Sequence, residues 1–114
     1  MTAGRRALGA HGEALAARWY ESRGYVVVDR NWRCREGEID LVLALDREVV
    51  VCEVKTRSST AYGTPAEAVT RTKQLRIRRV AMRWLDEQRV RPARLRFDVA
   101  CVIGTQVEVI EAAF

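Results

Sequence analysis

The 114-residue chain predicts an α/β domain in which a mixed central β-sheet is flanked by α-helices, in the order α-β-β-β-α-β-β. Three observations carry that expectation. Helix-period and strand-period segments alternate along the chain, tight turns join the second strand to the third and the fourth to the fifth, and a helical pattern separates the third strand from the fourth. Tight turns impose antiparallel neighbours, whereas a helical connection allows a parallel crossover, so both pairings are expected in one sheet.

The elements follow in order. From about Arg5 to Arg23 the pattern is Ala-rich and helical, with Gly24 as its C-terminal stop. Tyr25 to Asp29 reads as a short strand, and Glu38 to Leu45 and Glu48 to Thr56 as two more, joined by a turn at Asp46-Arg47. Thr64 to Glu67 has the form of a helix start: a Thr cap, Pro65 at the first helical position, and Glu67 three residues after the cap. That helix should run to about Gln88. Leu95 to Ile103 and Gln106 to Ile110, around Gly104-Thr105, complete the sheet. No repeat or linker divides the sequence, so residues 1–114 form a single domain.

Composition narrows the function classes. A hydrophobic fraction of 48% with 31% charged residues belongs to a folding chain, and no apolar run approaches the roughly 18 residues of a membrane span. Two early arginines lack the apolar segment that would make a signal peptide. Three cysteines without a C-x-x-C and a single histidine argue against a disulfide framework or a Cys/His zinc site. A cytoplasmic location is therefore expected. Twenty Lys+Arg against 15 Asp+Glu leave a charge of +5, a hint of a polyanionic partner.

The chemistry concentrates in Gly37 to Leu41 and in Glu53-Val54-Lys55. Alternate side chains of a strand share a face, so Glu53 and Lys55 project together, and Glu38, Asp40, Val42 and Ala44 are expected on one face of the strand before. Pairing through a short turn can bring Asp40 near Glu53 and Lys55. Ionisable groups on strands of Val, Leu and Ile are costly unless paired or metal-bound. Two carboxylates suit a hard divalent cation such as Mg²⁺, and a lysine beside it could orient an attacking water or offset phosphate charge. These parts serve metal-assisted phosphodiester hydrolysis; they equally suit a buried acid–lysine ion pair or a solvated strand face.

Three further features bear on the site. Gly9, Glu13, Ala16, Ala17 and Tyr20 share one helix face, which would aim Glu13 at the sheet, but Leu8, Leu15 and Trp19 form a competing stripe. On the second helix Val69, Ile77, Val80, Ala81, Trp84 and Leu85 make the apolar face, with Lys73 on that side, either snorkelling to the rim or pointing along the sheet to the site. Arg71, Arg78, Arg79 and Arg83 occupy the rest of the wheel, as phosphate contacts or as a solvated face. Trp32, between Asn31 and Arg33, suits base stacking or, more simply, a place in the core or at its rim.

Gly12-Glu13, Gly24-Tyr25, Arg30 to Arg33, Gly37 to Leu41, Glu53 to Arg57, Gly63-x-Pro65, Lys73 and Arg96 to Val99 come in the order and spacing of the YraN family. The chain resembles these small bacterial endonuclease-like proteins from about Gly9 to Ile110. The resemblance implies a restriction-endonuclease-like fold with the PD-(D/E)xK nuclease core, similar to archaeal Holliday junction resolvases. Their helix Glu, strand Asp and Glu-x-Lys match Glu13, Asp40, Glu53 and Lys55; Ile39 stands where the motif has Pro, and Glu111-Ala-Ala-Phe replaces an Asn-Ala-Phe-like tail.

Together these imply a metal-dependent endonuclease hydrolysing DNA phosphodiester bonds, on branched or damaged DNA. Asp40 and Glu53 would hold Mg²⁺ or Mn²⁺, Glu13 would be an outer ligand or water-positioning base, and Lys55 would orient the nucleophilic water. Arg57, Lys73 and the helix arginines would contact phosphates, and a homodimer is expected from related nucleases. The alternative is a non-catalytic nucleic-acid-binding or partner-binding module that retains the nuclease fold.

Overall fold

Each central strand divides its side chains between two cores, and the sheet lies between them. The computed structural model describes residues 3–57 and 69–114, with side chains from residue 7 onward in the first segment. It contains α1 (Ala3–Glu21), β1 (Val26–Cys34), β2 (Gly37–Leu45), β3 (Glu48–Arg57), α2 (Arg71–Gln88), β4 (Arg94–Ile103) and β5 (Gln106–Ile110). The five strands lie side by side in chain order. Only β3 and β4 are parallel, joined across α2; the other neighbours are antiparallel. The α-β-β-β-α-β-β order and the mixed sheet are thus both present.

Local chemistry explains the joints. Leu45 pairs with Glu48 across a two-residue turn in which Asp46 takes φ +54°, a conformation that Asp tolerates better than most residues. Two boundaries differ from expectation. β1 does not stop at Asp29 but runs to Cys34, because pairing with β2 recruits the polar Arg30 to Arg33 segment into the ladder. α2 begins at Arg71, since Thr70 stays extended and its Oγ1 accepts from the Lys73 N–H at 3.2 Å, which makes Thr70 the cap. The expected start at Thr64-Pro65 lies outside the described residues.

One core lies under α2, where Ile77, Val80, Ala81, Trp84 and Leu85 meet Ile39, Val42, Val49, Val51, Phe97 and Val99. The other lies under α1, where Ala16, Ala17 and Tyr20 meet Leu41, Leu43, Val50, Cys52 and Ala100. Each fully buried Leu, Val or Ile contributes about 1.5–3 kcal/mol. This second core decides between the two stripes of α1. Ala16, Ala17 and Tyr20 are at most 1% exposed and Leu8 is 41% exposed, so the stripe that carries Glu13 faces the sheet.

A polar network is sealed into the α1 side. Asp98, fully buried, accepts from the Tyr20 hydroxyl at 2.6 Å, from Arg96 Nε and Nη2 at 2.8 and 2.9 Å, and from the Ala112 N–H at 3.0 Å. Arg96 also reaches Glu48, which accepts from the Tyr25 hydroxyl. With its lone pairs so occupied, the carboxylate ties α1, β4 and the C-terminal segment together. Among the described residues, no helix is long and apolar enough to cross a membrane.

Candidate active site

The site begins where two strands part. The β2–β3 ladder reaches only to Leu41 and Cys52. Beyond it β2 stays with β1 and β3 stays with β4, so a wedge opens between them. Asp40 is the first β2 residue in the wedge. Its Oδ2 accepts from the Val54 N–H at 2.8 Å, which satisfies a donor that the β2–β3 ladder does not engage.

Strict alternation fails at the same level. Ile39 packs with Val42 under α2, while Leu41 and Leu43 pack under α1, so Asp40 does not share a regular face with Val42 as period two would have it. Opposite it, between the pairs Arg30–Leu41 and Trp32–Ile39, Asn31 takes φ +49°. Both strands carry an irregularity there, of the kind that re-aims side chains near sites. Trp32 turns inward against the α2 core, in keeping with a place at the core rim, and Asn31, Arg33, Glu38 and Asp40 line the cleft on the α1 side.

Charge is crowded here. The cleft, of about 730 Å³, is also lined by Glu13 and Lys55. Glu53, 8% exposed, does not itself line it; its Oε1 lies 2.8 Å from Lys73 Nζ and 3.4 Å from Lys55 Nζ. Burial, then the nearby Glu53, Glu13 and Glu38, pushes the Asp40 carboxyl up to about 7, against the hydrogen bond from Val54. Glu13 is raised by burial and by Glu38, with Asn31 and Arg30 acting in the opposite sense. Its Oε2 is buried without a hydrogen-bond partner among the described residues. Lys55 is lowered by burial and by the neighbouring Lys73, while Lys73, against its own burial, is raised by the pair with Glu53.

α1 is held close enough for Glu13 to reach the wedge because Gly12 has no side chain. A Cβ there would overlap Thr56 Oγ1 and meet Thr56 Cβ and Cγ2 at 3.0 and 3.1 Å. A mid-helix glycine is unfavourable by about 1 kcal/mol relative to Ala, and here the close approach to β3 requires it.

Comparison with known proteins gives the same span of chain a family. Residues 12–102 match Uncharacterised protein family UPF0102. The chain belongs to UPF0102, the YraN family. It is similar to the UPF0102 protein of Beutenbergia cavernae, 52% identical over 100 residues that cover 88% of this chain and 85% of that one. The UPF0102 protein of Rhodococcus opacus is 52% identical over 113 residues, 95% of this chain and 96% of its own. That of Nocardioides sp. is 52% identical over 99 residues, 87% and 80% of the two chains.

In this UPF0102 chain the structure brings Glu13, Asp40, Glu53 and Lys55 together from α1, β2 and β3, and adds Lys73 from α2. The helix arginines do not join them. Arg78 lies over the rings of Phe97 and Phe114, Arg83 Nε is 3.0 Å from Glu36, and Arg71 and Arg79 are exposed. Arg57, at the end of β3, has a buried Nε with no hydrogen-bond partner among the described residues. Among the described residues, no three His, Cys, Asp or Glu side chains close into a ready-made metal cluster. Arg33, Asn31 and Glu38 were not site candidates from residue type alone; the signal was their place in the Arg30 to Arg33 and Gly37 to Leu41 blocks.

Proposed function

We propose that this cleft is the active site of a metal-dependent nuclease that hydrolyses DNA phosphodiester bonds, with branched or damaged duplexes as the substrates to test first. One observation carries the reading. Carboxylates from three separate elements converge with a lysine at the parting of two strands, and one of their oxygens, Glu13 Oε2, is buried without a partner among the described residues. Mg²⁺ or Mn²⁺ keeps several waters and needs only one or two carboxylates, so these residues suit it without a preformed cluster. Asp40 and Glu53 would hold the ion, with Glu13 in its outer shell. Bound there, a divalent cation supplies charge stabilisation for the phosphoryl transition state and a more acidic water.

The chain's own groups do the rest. Lys55, less basic than a free lysine, orients the attacking water or offsets charge developing on the phosphate. Lys73 fixes the Glu53 carboxylate at 2.8 Å. Glu13, with its raised pKa, is suited to hold a proton from that water. A cytoplasmic, homodimeric enzyme completes the proposal.

The rival reading, a non-catalytic nucleic-acid-binding or partner-binding module, draws support from Glu53, which two lysines already neutralise. Incubation with duplex, single-stranded, flap and four-way-junction DNA plus Mn²⁺ separates the two. The wild type should cleave at least one substrate, and Lys55→Ala should be about 10²-fold slower or worse while still binding DNA. Equal rates for the two proteins would refute the assignment. Calorimetric titration with Mn²⁺ should give heat that Asp40→Asn and Glu53→Gln abolish.

A further inference from the structure

We infer that the outer edge of the sheet, at β1, grips the phosphate backbone of duplex DNA through Arg30 and Arg33, and that the arginine face of α2 does not. The inference rests on the nuclease reading only in taking the cleft as the place where the duplex is presented.

The layering of the fold leads to this surface. The cleft opens on the α1 side of the sheet, between Gly9 and Glu13 of α1 and Val54 and Thr56 of β3. α2 and its arginines pack across the opposite face, and no described α2 residue lines the cleft. Arg78 and Arg83 are engaged with aromatic rings and with Glu36. β1, in contrast, is an edge strand beside the cleft.

The left-handed Asn31 sets what β1 presents. Regular alternation would place Trp32 on the same face as Arg30; instead Trp32 enters the α2 core, Arg30 pairs opposite the α1-facing Leu41, and Arg33 lines the cleft. Arg30 is exposed and has no ion pair among the described residues, and it acts electrostatically on Glu13. Arg33 is 78% exposed and meets Glu38 only at 3.5 Å, a surface pair that gives way at a cost near zero. Three strand residues span about 10 Å, close to the rise of three base steps, so both guanidiniums can meet one rigid backbone. No aromatic ring is among the described residues lining the cleft, whereas proteins built for single strands present aromatic stacking platforms. Acids at the floor with arginines at the rim let a backbone lie across the cleft and present one phosphodiester to it.

Fluorescence anisotropy with a blunt DNA duplex, in Ca²⁺ without Mg²⁺ or Mn²⁺, tests this across a salt series. Each phosphate contact adds about 0.9 to the slope of log K against log salt for B-DNA. Arg30→Ala/Arg33→Ala should lower that slope by nearly 2 and Arg71→Ala/Arg79→Ala should leave it unchanged, with melting curves verifying that both variants fold. An unchanged slope in the β1 variant, a slope lost only in the α2 variant, or tighter wild-type binding to single strands or duplex RNA would overturn the inference. Cleavage by wild type and Lys55→Ala is scored separately, so an inactive protein that still binds through β1 fails the nuclease reading alone.

Discussion

The burial of Asp40, with the acids crowded around it, predicts that the site is held together at a cost in stability, and Asp40→Asn measures that cost. Asn keeps an oxygen to accept from the Val54 N–H, so the variant removes charge with little change of shape. An acid whose folded pKa lies above its unfolded value keeps a proton that the unfolded chain has lost. Folded stability therefore falls as pH rises from about 4 to about 7 and remains low above that. A rise from the ordinary 3.8 to about 7, at about 1.4 kcal/mol per pH unit, sets an upper bound of about 4 kcal/mol. Exchanging a charged acceptor for an amide returns about 1 kcal/mol of this.

Urea unfolding at pH 8 should thus find Asp40→Asn about 2–3 kcal/mol more stable than wild type, out of a total of about 5–15 kcal/mol. The gap should close near pH 4, where the wild-type carboxyl is protonated. Mn²⁺ at 100 times its dissociation constant should stabilise the wild type by about 2.7 kcal/mol and leave the variant unmoved. A variant no more stable than wild type at pH 8 would refute the view that burial and the neighbouring carboxylates make the charged form of Asp40 costly.

The other predictions concern the supports of the site. Asp98→Asn should destabilise the protein by about 3–5 kcal/mol and lower the Tm by more than about 10 °C, because Arg96 and Tyr20 lose a buried acceptor; Tyr20→Phe should cost about 1–2 kcal/mol. Comparable melting curves for wild type and Asp98→Asn would contradict the network. Gly12→Ala should be destabilising despite the better helix propensity, since overpacking costs about 1–3 kcal/mol, and Thr56→Ala should recover part of the loss in a double-mutant cycle. Additive effects would mean that the two residues do not clash. Lys73→Met should raise the Lys55 pKa, read by NMR of its side chain, because one of the causes that lower it is a neighbouring positive charge. An unchanged titration would separate the two lysines.

Sequence alone determined the order of elements, the turns at Asp46 and Gly104, the mixed sheet and the apolar face of α2, because these depend on periodicity and on local turn chemistry. It also brought forward Asp40, Glu53 and Lys55, since charged side chains stand out on strands of Val, Leu and Ile. It could not choose between the two stripes of α1, which are equally good until one is laid against Leu41, Leu43 and Val50. Nor could period two reveal that alternation breaks at Asn31 and Asp40, which lie opposite one another on β1 and β2 where β2 leaves β3. The parting of β2 from β3, the Glu13 oxygen without a partner among the described residues, the two lysines on Glu53 and the place of Arg33 in the lining of the cleft are likewise set by tertiary packing. Residue type proposed the acids, but only packing could set them at a wedge between strands, because burial and mutual repulsion are properties of neighbours distant in the chain.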